Sequence, residues 1–293
     1  MLVNMKDMLT HANKHHYAVM AMNCINMEMA RGAVEAAEEM HSPMIIQMGC
    51  GQMRKHAHPE EMVPMIREMG ERISAPICLN LDHGSKFDDI CFCIKCGFTN
   101  VMFDGSALPY EENVERTALI CQIAHSQGIS VEGELGHVGQ AVTGDDEHED
   151  FLTKPELAKD FIERTGVDAL AVAIGTAHGN YPKGKTPKLD FERLKEIKKI
   201  IPMPLVLHGG SGSGEDNIRK AIAGGINKIN VCTDAFSVAR AAFLKAAEDG
   251  SKDYLAVSVE VEKEVKEYVE NYMKLIGSAN QYFYGEATNL SKE

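Results

Sequence analysis

The stretch ALAVAIGTAHG at residues 169–179 decides the fold. Its apolar residues run without a polar alternate, the pattern of a parallel strand buried on both faces. It then ends abruptly on histidine and glycine, His178 and Gly179. The same construction recurs on both sides. ICLNLDHG (77–84) ends on Asp82, His83 and Gly84, and PLVLHGG (204–210) ends on His208, Gly209 and Gly210. Five further apolar runs complete the series: YAVMAMNC (17–24), PMIIQMG (43–49), TNVMFDGS (99–106), ISVEGELG (129–136) and INKINVCTD (226–234). Segments of helical period lie between them, including MARGAVEAAEEM (29–40), ENVERTALICQIAHSQG (112–128) and KPELAKDFIERTG (154–166), the last with proline in its first turn and a glycine stop. Eight strands alternating with helices predict an α/β fold, a (β/α)8 TIM barrel. Two more helical segments, AFSVARAAFLKAAEDG (235–250) and YLAVSVEVEKEVKEYVENYMKLIG (254–277), add extra C-terminal helices. No linker interrupts the alternation, so residues 1–293 read as one barrel domain.

Composition narrows the function. The chain of 293 residues carries a formal net charge of −13, which disfavours nucleic acid and anionic membrane surfaces as partners. The opening MLVNMKDMLTHANKHH has no sustained apolar run of the signal-peptide kind, and no apolar run reaches transmembrane length. Eight cysteines in a chain this long do not form a small-domain disulfide framework. A reduced, cytoplasmic protein is expected. CFCIKC (91–96) falls in a helical segment and reads as cysteines on a helix face.

In a barrel of this kind, chemistry gathers at the C-terminal ends of the strands. Taken in order, those ends carry Asn23, Asp82 with His83, Asp104, Glu134, His178, His208 and Asn230. Scattered polar residues would not collect at one end. Three imidazoles at one mouth fit a divalent metal such as zinc, with a fourth position left open for chemistry. A phosphate signal lies beside them. HGGSGSG follows strand seven and NVCTD ends strand eight, so Gly209, Gly210, Ser211 and Thr233 fall where barrels build phosphate sites against a helix N-terminus. Metal and phosphate at one mouth point to a phosphorylated ketose, with the metal polarising its carbonyl. On an ideal strand Asp82 points away from His83. It enters the mouth, where it could shuttle a proton at the aldehyde oxygen, only if the strand end bends.

These motifs together resemble the class II, metal-dependent fructose- and tagatose-bisphosphate aldolases over essentially the whole chain. The carriers are LDHG (81–84), FDGS (103–106), VEGELG (131–136), AIGTAHG (173–179), LHGGSG (207–212) and KINVCTD (228–234). The resemblance implies one zinc ion per subunit on His83, His178 and His208, with Glu134 and Asp104 as alternative or outer carboxylates. It implies Asp82 as the proton donor and Asn230 at the enediolate of dihydroxyacetone phosphate. Gly179, Gly209, Ser211 and Thr233 would hold the phosphate, with a monovalent cation near it in many relatives. It also implies a homodimer or homotetramer.

Two departures concern the far half of the substrate. The family's acidic double-glycine stretch after ELG is replaced by ELGHVGQAVTGDDEHED (134–150), and the position of its C3 base falls on Val142. Asp145, Asp146, Glu147 and Glu149 on that loop are the substitutes. Near SKDYL (251–255), where relatives grip the distal phosphate with arginine, stands Lys252, which lacks the bidentate fork. The expected substrate is therefore a ketose 1-phosphate, cleaved reversibly to dihydroxyacetone phosphate and an aldehyde, with no phosphate at the distal end. Three other readings stay open: an ordinary fructose- or tagatose-1,6-bisphosphate aldolase, a Schiff-base aldolase using Lys228, and a non-catalytic sugar-phosphate-binding protein. His137 is a further candidate for substrate contact, while His56 and His58 read as surface histidines.

Overall fold

The computed structural model describes residues 1–139, 141, 151–179, 181–182 and 185–281. Chain order is α1 (Met5–His15), β1 (Val19–Asn23), α2 (Met27–Glu39), β2 (Met44–Gly49), α3 (Cys50–Lys55), α4 (Pro59–Glu71), β3 (Ile77–Gly84), α5 (Phe87–Cys96) and β4 (Asn100–Phe103). It continues with α6 (Tyr110–His125), β5 (Ser130–Leu135), α7 (Pro155–Thr165), β6 (Ala169–Val172), α8 (Phe191–Ile200), β7 (Leu205–Leu207), α9 (Glu215–Ala223), β8 (Ile226–Val231), α10 (Thr233–Glu248) and α11 (Tyr254–Ile276). All eight strands pair in parallel and in sequence order, and β8 closes on β1 through the register Ala21↔Asn230. The TIM barrel read from the sequence is the fold observed, with α10 and α11 as its C-terminal additions.

Strand parity separates two environments. Outward-facing residues such as Met20, Ile46, Leu79, Val131, Leu170 and Ile229 join the shell packed under the helices. Inward-facing Val19, Ala21, Ile45, Cys78, Ala169, Ala171 and Val206 form a second cluster with Met5, Met8 and Leu9 of α1, which plugs one end of the barrel. Higher in the barrel the inward positions turn polar: Asn23, Gln47, Asn80, Glu132, Lys228 and Asn230 are all buried. Gln47 Nε2 donates to Asn23 Oδ1 at 2.9 Å, and Asn80 Nδ2 donates to Gln47 Oε1 at 3.0 Å. Buried polar groups are tolerable only when paired in this way. The interior thus runs from an apolar plug to a polar mouth.

The apolar face of α11 packs on α2 and α10. Its buried residues, Val257, Val261, Val265, Val269, Met273 and Ile276, recur at helical spacing. No described helix is long and apolar enough to cross a membrane. Cys91, Cys93 and Cys96 lie on α5 as expected, and all eight cysteines are free thiols.

The run ALAVAIGTAHG forms a shorter strand than its composition predicts, since β6 ends at Val172. The reason is local. Ala173 N donates to Thr153 Oγ1 at 2.8 Å instead of continuing the ladder, and Gly175 turns the chain at φ 105°. His178 therefore stands on the connection after the strand.

Strand β3 ends on a distortion that builds the site. Its register with β4 shifts between Leu81 and Gly84, and His83 adopts φ 51°. A left-handed conformation in a non-glycine residue costs on the order of 1–3 kcal/mol and persists where the surroundings enforce it. The next residue has no room for a side chain: a Cβ at Gly84 would lie 2.5 Å from Met102 O and 2.9 Å from Leu81 Cδ2. Gly84→Ala is expected to lower stability by about 1–3 kcal/mol, measured by denaturant unfolding of the metal-free protein. An unchanged midpoint would mean that this strand end is free to relax.

Candidate metal and substrate site

The bend at the end of β3 resolves the parity conflict at Asp82. The extra residue and the left-handed His83 bring both neighbouring side chains to the mouth. His83 Nε2 lies 3.1 Å from His178 Nε2 and 2.8 Å from His208 Nδ1. Nitrogens sharing a tetrahedral zinc at ordinary bond lengths stand roughly 3.3 Å apart, so the three imidazoles converge as a ligand set does. The other nitrogens of two rings are held from behind. His83 Nδ1 lies 2.8 Å from Asp104 Oδ2, and His208 Nε2 lies 2.8 Å from Glu132 Oε1. A carboxylate accepts only, so each ring nitrogen donates to it and leaves the inner lone pair for a metal.

Electrostatics agree with the geometry. Burial opposes a charge on His83, yet Asp82, Asp104 and Glu134 together outweigh it and push the imidazole up to about 10. A field that favours a proton there also favours a divalent ion. Burial, followed by His83 and His208, lowers His178 to about 3, so that ring is neutral and free to ligate. Burial, reinforced by the charge of Asp104, raises Glu134 to about 8. Glu134 Oε2 is buried with no hydrogen-bond partner and lies 3.8 Å from His83 Nδ1. An orphaned carboxyl oxygen beside three converging imidazoles fits a cation site. Among the described residues, His83, His178 and His208 form one possible ligand group and His83, Asp104 and Glu134 a second. Because Asp104 occupies Nδ1 of His83, the carboxylates stand behind the ligand in the first group. Zinc, which takes three imidazoles readily and keeps a fourth position for substrate, suits this donor set.

Asp82 is held on both sides. Asn23 Nδ2 donates to its Oδ2 and Asn230 Nδ2 to its Oδ1, each at 3.0 Å. Burial works to raise its pKa, but His83, His208, Lys228 and the Asn23 amide prevail, so Asp82 stands ionised. Asn230 Oδ1 is buried without a partner.

These groups open on a cleft of 610 Å³. Gly179, Gly209, Ser211, Thr233 and Asn230 line one part of it, together with Asn23, Asp82, His83 and His178. Gly209 has φ 66°, and its missing Cβ would fall 2.6 Å from Ala177 O, so only glycine keeps the backbone at this place. Ser211 Oγ accepts from Cys232 N and Asp234 N at 3.3 and 3.2 Å, fixing it to the first turn of α10. The N-terminus of α10 faces the cleft through Cys232 and Thr233, a place suited to an anion.

Not every expected contact is made. His137 is absent from the cleft lining. It meets Ser106 Oγ at 3.1 Å, which in turn donates to Asp104. Lys228 faces inward as strand parity requires, but it is fully buried and bonded to Glu132, away from the cleft surface. Lys252 pairs with Glu260 at 3.2 Å. Val142 and the loop acids Asp145, Asp146, Glu147 and Glu149 lie outside the described residues. The flanks of that loop bind the backbone of His178: His178 N donates to Gly139 O, and Ala141 N to His178 O. Sequence reasoning missed Glu132, Gln52 and Lys55, and His56, exposed as expected, stands beside Lys55. Gln52 accepts from Asn23 at 3.1 Å, and Lys55 and His56 stand at the rim of the cleft after β2.

Residues 3–281 match the class-II fructose-bisphosphate aldolase family. The chain belongs to that family. It is 35% identical to the YdjI aldolase from Escherichia coli K12, with a TM-score of 0.84 over 95% of this chain and 98% of that one. It is 29% identical to a candidate fructose-1,6-bisphosphate aldolase from Coccidioides immitis, with a TM-score of 0.81 over 97% of each chain. The fold is also that of the Campylobacter jejuni fructose-bisphosphate aldolase, at 21% identity, a TM-score of 0.80 and 96% coverage of each chain. The protein is thus a metal-dependent lyase acting on ketose phosphates, and its histidine cluster has the geometry of a zinc site.

Proposed function

We infer that this aldolase cleaves a ketose 1-phosphate whose distal end bears no phosphate, yielding dihydroxyacetone phosphate and an aldehyde, and that residues 1–293 act as one domain. The observation that carries the reading is Asp82, clamped between Asn23 and Asn230 beside three converging imidazoles and the α10 N-terminus. His83, His178 and His208 hold the zinc, which when bound supplies a Lewis acid for the substrate carbonyl. The α10 N-terminus, Gly179, Gly209, Gly210, Ser211 and Thr233 seat the C1 phosphate. Asp82 accepts the C4 hydroxyl proton as the C3–C4 bond breaks and returns it to the aldehyde oxygen in condensation. Asn23 and Asn230 hold the carboxylate in register for that transfer. Exchange of the C3 proton falls to the loop acids Asp145, Asp146, Glu147 or Glu149. A monovalent cation beside the phosphate and a homodimeric or homotetrameric assembly belong to the same reading.

The absence of a distal phosphate rests on Lys252, whose single ammonium is engaged by Glu260. One observation favours the second reading, a 1,6-bisphosphate: Lys55 and His56 put basic groups on the rim of the cleft. A substrate panel separates the two. Ketose 1-phosphates are expected to give kcat/KM at least about tenfold above that for fructose or tagatose 1,6-bisphosphate, the effect of one lost charge-assisted contact of roughly 1.4 kcal/mol or more. A preference for the bisphosphates would overturn the assignment.

A further inference from the structure

Lys228 takes no part in the chemistry above, yet its charge is fully buried at the centre of the barrel. Nζ donates to Glu132 Oε2 at 2.6 Å, while Glu132 Oε1 meets His208 Nε2 at 2.8 Å. One carboxylate therefore bridges an ammonium on β8 and an imidazole on the end of β7. Both oxygens act as acceptors, since the ammonium has only protons to give and occupies one of them. Nε2 of His208 must then bring its own proton to the other. The lone pair of His208 is left on Nδ1, the nitrogen 2.8 Å from His83 Nε2. Without Lys228 the second oxygen of Glu132 has no partner holding it in place, and the side chain loses the direction that fixes the ring.

We propose that Lys228 is a positioning residue which, through Glu132, locks His208 with Nδ1 facing the metal. A buried ion pair is by itself weak evidence of a role in stability, because its replacement by neutral side chains of similar volume often leaves stability unchanged or higher. Its placement on a ligand explains why the barrel keeps it. The inference rests on reading His208 as a metal ligand, so the experiment includes a variant that tests that reading separately.

Metal-stripped protein is titrated with zinc in competition with a chromogenic chelator, and with cobalt, whose visible spectrum reports ligand geometry. Thermal melts of the metal-free proteins run in parallel. Lys228→Met is expected to weaken zinc binding about ten- to a hundredfold, the effect of losing an outer partner of a ligand, and to alter the cobalt bands. Because the single variant leaves Glu132 buried alone and can lower stability, Lys228→Met/Glu132→Gln is made as well. Its melt is expected to return to wild-type values while its zinc affinity stays weak, since a glutamine amide can offer either its oxygen or its NH2 to the ring. Zinc affinity within about twofold of wild type in Lys228→Met, or restored in the double variant along with stability, would make the pair merely structural and overturn the proposal. His208→Ala binding zinc as tightly as wild type would instead overturn the ligand assignment beneath it.

Discussion

His83→Ala is expected to abolish zinc retention and to lower kcat/KM for ketose-phosphate cleavage by at least about a thousandfold. The magnitude follows from the several kcal/mol that a Lewis acid contributes at a polarised carbonyl, each 1.36 kcal/mol being tenfold in rate. In the inferred site His83 is central, its Nε2 standing between His178 Nε2 and His208 Nδ1. Asp104 directs that nitrogen inward by occupying the other. Removing the ring takes away one ligand and breaks the link from the metal to the carboxylates. Metal content by elemental analysis, beside cleavage rates with and without added zinc, checks the prediction. The melt of the metal-free variant should fall at neutral pH, because Asp82, Asp104 and Glu134 stabilise the protonated His83 ring in the folded state and are left facing one another without it. Cleavage within tenfold of wild type by a zinc-free variant would mean that the metal is dispensable.

Asp82→Asn is expected to cost about 10²–10⁴ in kcat, the usual range for a positioned acid–base group, while zinc content stays at the wild-type level. The two substitutions thus separate metal loss from proton-transfer loss. Asparagine keeps the shape of Asp82 but cannot take the C4 hydroxyl proton, and its amide meets the amides of Asn23 and Asn230 where a carboxylate accepted from both. With Asp82 assigned to the C4 oxygen in the proposed reaction, solvent exchange at C3 of dihydroxyacetone phosphate alone is predicted to survive in the variant. Deuterium incorporation followed by NMR measures that step apart from cleavage. Loss of exchange in parallel with cleavage would place Asp82 at C3 and overturn its assigned role.

The barrel was legible because eight apolar runs, three ending on His–Gly, announce buried parallel strands with their chemistry at one end. The placement of Asp82 was not. Period-two alternation sends it away from His83, and only the register shift against β4 with the positive φ at His83 brings both inward. Such a bend is set by tertiary contacts around Gly84 and leaves no periodic trace. Glu132 did leave a signal. It shares parity with Glu134 in VEGELG, and an acid inside an otherwise apolar strand calls for a buried partner. Lys228 carries the matching signal on β8, but parity alone does not distinguish a lysine open to substrate from one committed to an ion pair. His56 read as a surface histidine, and it is exposed; what the sequence lacked was the path of α3, which carries it to the rim of the cleft.

The most direct test is retro-aldol cleavage by the zinc-loaded protein, with release of dihydroxyacetone phosphate coupled to its enzymatic reduction. Ketose 1-phosphates and 1,6-bisphosphates would be compared with and without a chelator. Release that the chelator abolishes, zinc restores and ketose 1-phosphates support best is the predicted result. Release that survives the chelator, with a covalent adduct trapped by borohydride, would contradict the metal-dependent account.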